Sequence, residues 1–140
     1  MNIKQALLNI QSTLKEVTYI NPKYNKETTF FKQVEIGGGG EFNPNILPCA
    51  RIILSGGKVG NNRDTLKLSI HFGFSLTGLT REESTFRGLE LLETIKATLN
   101  MQVVDLDNTY LQYTDFKTDG DLYKEVKNFL INFDIIELLD

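Results

Sequence analysis

Residues 66–76 alternate without a break: Leu66, Leu68, Ile70, Phe72, Phe74 and Leu76 interleave with Lys67, Ser69, His71, Gly73 and Ser75. Successive side chains of a strand point to opposite faces, so this period of two specifies a β-strand with one buried and one wet face. At about 3.3 Å per residue it reaches roughly 36 Å, longer than most strands, and part of it is expected to overshoot the domain body. Its apolar face needs a cover.

Two amphipathic helices are available for that role. Ile3, Leu7, Ile10, Leu14 and Val17 recur at spacings of three and four, which predicts a helix over about 2–17, ended before Asn21-Pro22. Thr80-Arg81-Glu82-Glu83 reads as a capping box, and Phe86, Leu89, Leu92, Ile95 and Leu99 supply the stripe of a second helix over 81–99. Further strands are expected at 29–36 (TFFKQVEI), 49–54 (CARIIL), 102–106, 109–116 and 129–136, the last again alternating. Residues 122–127 are ambiguous between a helical turn and the start of that last strand. The glycine-rich stretches 37–47 and 55–64 read as loops, the second as a long hairpin connection. The pattern predicts an α+β fold: a mostly antiparallel sheet of about five strands with two helices packed on one face.

The 140 residues make 15.9 kDa, the size of one domain spanning 1–140. At 41% hydrophobic and net charge -3 the chain is expected to be globular rather than disordered. One cysteine and one histidine exclude an internal disulfide and a Cys/His zinc site. The first residues show no secretory signal, no segment approaches the roughly 20 apolar residues of a membrane span, and no N-x-[ST] sequon occurs. The expectation is a protein of a reducing compartment without a membrane partner. Residues 1–104 carry 12 basic and 9 acidic side chains, whereas 105–140 carry 3 and 9, net -6. Such a tail disfavours nucleic-acid adsorption.

Chemical motifs are sparse. Neither 37–40 nor Gly56-Gly57-Lys58-Val59-Gly60 has the Gly-Lys-Ser/Thr continuation of a phosphate-binding loop. Asp115-x-x-x-Asp119-Gly120 fails as a calcium loop, with Lys117 at the third position and Val126 at the twelfth. Asp105, Asp107 and Asp115 could gather a hard cation, or stand as solvated turn carboxylates. His71 lies on the wet face of the central strand, where a general base would still need a partner. Cys49, inside an apolar strand, reads as a small buried hydrophobe. Phe30-Phe31-Lys32 is the one aromatic and basic cluster that single-stranded nucleic acid would use, and a core strand is the better explanation of Phe30 and Phe31. No cofactor is expected, and no sequence-specific nucleic acid.

The order of elements, with residues 47–54 (LPCARIIL) as a short strand, a long hairpin, the alternating strand 66–76, the capped helix 81–99 and a final alternating strand, resembles phage tail terminator proteins. That resemblance implies a non-enzymatic virion component of the tail or neck, assembled in the host cytoplasm. It implies a homo-oligomeric ring, commonly of six subunits, on the last ring of the tail tube. The ring stops tube polymerisation and offers the surface on which head-tail connector proteins dock. It would contact the tail tube protein, and DNA would pass through it. Carried onto this sequence, Glu41, Phe42, Lys58 and Arg63 become candidate subunit or partner contacts. Asp115, Asp119 and Asp121 become candidate lumen-facing acids that keep DNA from sticking. Other readings are a different head-tail neck protein, a small-molecule-binding regulatory module, or an enzyme dependent on His71.

Overall fold

In the computed structural model, which describes residues 2–21, 26–59, 63–105, 108–119 and 125–138, the alternating segment lies at the centre of a six-stranded sheet. The chain opens with α1 (Ile3–Lys15), whose Asn2 cap accepts from the Gln5 amide at 3.0 Å. A hairpin of β1 (Thr18–Asn21) and β2 (Lys26–Thr29) forms a separate two-stranded sheet. The main sheet contains β3 (Gln33–Ile36), β4 (Cys49–Val59), β5 (Arg63–Ser75), β6 (Val103–Asp105), β7 (Thr109–Thr118) and β8 (Val126–Leu138), with α2 (Arg81–Leu99) between β5 and β6. Its order is β3-β4-β5-β8-β7-β6. β3 runs parallel to β4, and every other pairing is antiparallel.

This sheet curls around α1. A flat sheet would hold its two outer strands about 24 Å apart, five spacings of about 4.8 Å. Yet Asn9 Nδ2 donates to the Val104 carbonyl of β6 at 2.7 Å, and Gln11 Nε2 to the Val34 carbonyl of β3 at 2.9 Å. Two donors on the same turn of a helix about 10 Å wide reach both edges, so the edges have closed around it. Ala6, Ile10 and Leu14 of α1 meet Leu91, Leu92, Ile95 and Leu99 of α2 over Ile70, Phe72, Phe129, Ile131 and Phe133 of the two central strands. Both helices therefore occupy the concave, apolar face.

The cap expected at Thr80 forms, with Thr80 Oγ1 accepting from the Glu83 amide at 3.1 Å, while the Glu83 carboxylate takes the Thr80 hydroxyl at 3.2 Å rather than its backbone amide. Several expectations need correction. The sheet has six strands rather than about five, with one parallel pair and an added hairpin. The segment 29–36 is not one strand, because Phe30 and Phe31 are both buried, which a strand with one apolar face does not allow. Phe30 N bonds Val17 O and Lys32 N bonds Pro48 O, so the chain changes sheets there. Residues 55–59 and 63–64, read as loop, continue the β4–β5 ladder past a bulge at Leu54/Gly56. On α2 the buried stripe is Ser84, Gly88, Leu91, Leu92, Ile95 and Leu99, while Phe86 and Leu89 face solvent. Gly88 sits where a Cβ would come within 2.1 Å of the Phe129 ring, so the helix approaches the sheet only through glycine.

Candidate functional site: the polar sheet face and its strap

The residues that alternate with the core occupy the convex face. Register sets Glu35, Arg51, His71, Leu130 and Lys117 in one row across five strands. Cys49, Gly73 and Asn128 form the next row, and Ser69, Asn132 and Asp115 lie on the other side. Two asparagines of β8 bridge this face. Asn132 accepts from the Ser69 hydroxyl at 2.6 Å and donates to Asp115 Oδ1 at 2.6 Å. Asn128 Nδ2 donates to Asp119 Oδ2 at 3.1 Å, which orients the amide so that its Oδ1 accepts from His71 Nε2 at 3.0 Å. Asp119 also takes the Asn128 backbone amide at 3.3 Å, and its Oδ1 is buried 3.8 Å from the Lys127 ammonium.

Residues 37–47 cross part of this face as a strap. Arg51, only 6% exposed, donates to the Gly40 carbonyl at 2.8 Å and to the Glu41 carbonyl at 3.5 Å, and pairs with Glu35 at 3.4 Å. The Phe42 ring is held between two cross-strand neighbours, 4.1 Å from the Arg51 guanidinium carbon and 4.5 Å from the His71 ring. Beneath it lies Gly73, where a Cβ would stand 2.7 Å from the ring. Glycine stands at this wet-face position of β5 because an aromatic ring occupies the place of a side chain.

Of the sequence candidates, Glu41 is exposed on the strap. Phe42 is 5% exposed and packs on its own sheet, so a neighbour reaches this ring only if the strap lifts. Lys58 is exposed near the opposite end of the sheet, paired with Thr65 beside a cavity of about 280 Å³. Arg63 opens β5 opposite Leu138. Thr65 and Gly73 are roughly 26 Å apart along the strand, so the structure does not gather Lys58 with Glu41 and Phe42. Asp115 and Asp119 end the two asparagine bridges, away from α1 on the other face, while Asp121 and Asp107 lie outside the described residues. The bridges and the Arg51 clamp were missed by sequence reasoning; the lone glycine in the β5 alternation was their one visible trace.

Electrostatics separate the two titratable groups of interest. Burial pushes the Cys49 thiol up to about 11, with Glu35 adding to the rise, so it stays protonated near neutral pH. Burial also holds the His71 pKa below the usual histidine value, reinforced by Arg51 and opposed by the Asn128 bond and Asp119. Among the described residues no group of three His, Cys, Asp or Glu side chains could hold a metal ion. A groove of about 390 Å³ opens elsewhere, between the β1–β2 hairpin and α2, lined by Tyr19, Glu27, Phe30, Arg87 and Glu90 among others. Compared with known proteins, the chain matches no protein-family model and none of the curated proteins.

Proposed function

We propose that this chain is a structural assembly component, a subunit of a ring that caps a phage tail tube, stops its polymerisation and presents the head-tail joining surface. One observation carries the reading. Both helices cover the concave face, and among the described residues the convex face of strands 10 to 13 residues long carries no α-helix. Lys67, Asp134, Asp115 and Lys117 stand there with both signs of charge interspersed. A broad sheet face with mixed charge suits protein contact, where complementary charges fix register and exclude wrong partners. The pairing of 56–59 with 64–67 lengthens that face.

The test is solution mass by light scattering over a concentration series, with and without tail tube protein, followed by electron microscopy of any assembly. The expected result is a closed ring whose mass is a multiple of 15.9 kDa. A chain that stays monomeric and leaves tube length unchanged would end the proposal. The groove beside α2 favours a second reading, a small-molecule-binding module, since its volume falls in the range of ligand sites and Arg87, Glu27 and Glu90 line it. Thermal shifts by small ligands that disappear in Arg87→Ala would support that reading instead.

A further inference from the structure

We propose that residues 37–47 are a hinged strap, latched over the polar sheet face by Phe42, which opens when His71 takes up a proton and bares the furrow at Gly73. The inference stands whether or not the chain assembles into a ring.

The strap is built to move as a unit. Gly37, Gly38 and Gly40 have φ of 84°, 97° and 73°, in the left-handed region that glycine enters freely, and so make one leg a hinge. The other leg is stiffened by a 3₁₀ turn, Pro44–Ile46, with the Asn43 side chain accepting from the Asn45 amide at 3.0 Å. Among the described contacts, the strap meets the body through the Gly37 amide on the Ile52 carbonyl at 2.7 Å where it leaves β3, Arg51 on two carbonyls, Lys32 on the Asn45 carbonyl at 2.8 Å, and the Phe42 ring. Beyond Gly37 no strand pairing holds residues 38–47 down. An element held by a few side chains opens at far lower cost than one held by a ladder.

The latch is charge-sensitive because of what surrounds His71. Arg51 faces it from β4, Lys117 lies in the same row on β7, and the strap sets the Phe42 ring against it, with Glu41 beside that ring exposed to solvent. Asp119 follows β7 and is already engaged by Asn128 and Lys127, while Glu35 of β3 is paired with Arg51. A proton on His71 therefore adds a cation between two others, in a half-buried position where charge is poorly solvated. The closed strap adds to the burial that lowers the His71 pKa, and an open strap lets water restore its ordinary affinity for protons. The folded value is lowered, so the latch is complete above the ordinary pKa of about 6.5 and is lost as pH falls below it.

Cys49 reports the event. It is 0% exposed, it is the register partner of Gly73, and it lies on the strap-covered face. Its labelling by 4,4′-dithiodipyridine, which reacts with thiols in mild acid, is to be followed at about pH 7.5 and about pH 5. Each rate is normalised to that of the urea-unfolded chain at the same pH. The wild type should label at least about tenfold faster at the lower pH. His71→Gln, neutral at both, should lose that acceleration, and Phe42→Ala should label fast at both. Acceleration undiminished in His71→Gln, or protection undiminished in Phe42→Ala, would overturn the proposal. Should a variant not fold, hydrogen exchange of the wild type decides. Protection corrected for intrinsic rates should fall at 38–46 alone, and a loss shared by α2 and the core would refute a local latch.

Discussion

Two glycines, one on each face of the same sheet, sit beneath a phenylalanine ring. Gly88 of α2 admits Phe129 on the concave face, and Gly73 of β5 admits Phe42 on the convex face. The rings differ in what holds them. Phe129 is stacked on Phe72, centroids 5.2 Å apart and planes 2° from parallel, and is surrounded by core. Phe42 hangs on a strap with a glycine hinge and is clamped by a guanidinium and an imidazole. The same local fit therefore serves global stability on one face and a local closure on the other. Contacts of one kind become cooperative only when the elements carrying them are themselves tied into the core.

That contrast can be broken by experiment. The largest effect is expected from Phe72→Ala, which empties a fully buried ring site and should cost about 3–5 kcal/mol, read as a lower urea midpoint at unchanged m. Gly88→Ala should cost about 1–2 kcal/mol in the same assay, since overpacking against Phe129 outweighs the gain in helix propensity. A stabilised Gly88→Ala would mean that Phe129 yields as readily as Phe42 and would dissolve the distinction. Thr80→Ala removes the α2 cap and should lose about 1 kcal/mol without faster Cys49 labelling at neutral pH, because α2 serves the concave face alone. Gly73→Ala should do the reverse: faster labelling of Cys49, with a urea midpoint closer to wild type than that of Gly88→Ala. The smallest effect is in pH. Because the His71 pKa is lowered by folding, wild-type stability should decline from about pH 7 to about pH 5 more steeply than that of His71→Gln. Parallel curves would show that His71 is not coupled to folding.

Much of the fold was legible where one segment carries its own period. The alternation of 66–76 lies within β5 up to Ser75, that of 129–136 within β8, and the cap at Thr80 opens α2 at Arg81. These signals are local, because side-chain direction follows from the backbone repeat. The parallel entry of β3 and the β1–β2 hairpin were not legible, since short strands acquire their identity from partners distant in sequence. The stripe of α2 was misread at Phe86 and Leu89 for a related reason. Hydrophobic residues can occupy either side of a helix, and the choice of Gly88 as the contact point depends on where Phe129 stands.

The polar face was still less visible. Asn128, Asn132 and Arg51 carry no motif, and Arg51 sits in an apolar run that reads as plain strand. Their roles arise from register, which sets His71 opposite Arg51 and lets β8 hand its asparagines to both neighbours. The sequence by itself determined that there would be a sheet with one apolar and one polar face and two helices to cover the former, because periodicity dictates which side chains share a face. Only the tertiary structure decided that the sheet curls around α1 and that the glycine-rich stretch lies down as a strap. Those outcomes depend on contacts between residues far apart in the chain, whose geometry no local pattern encodes.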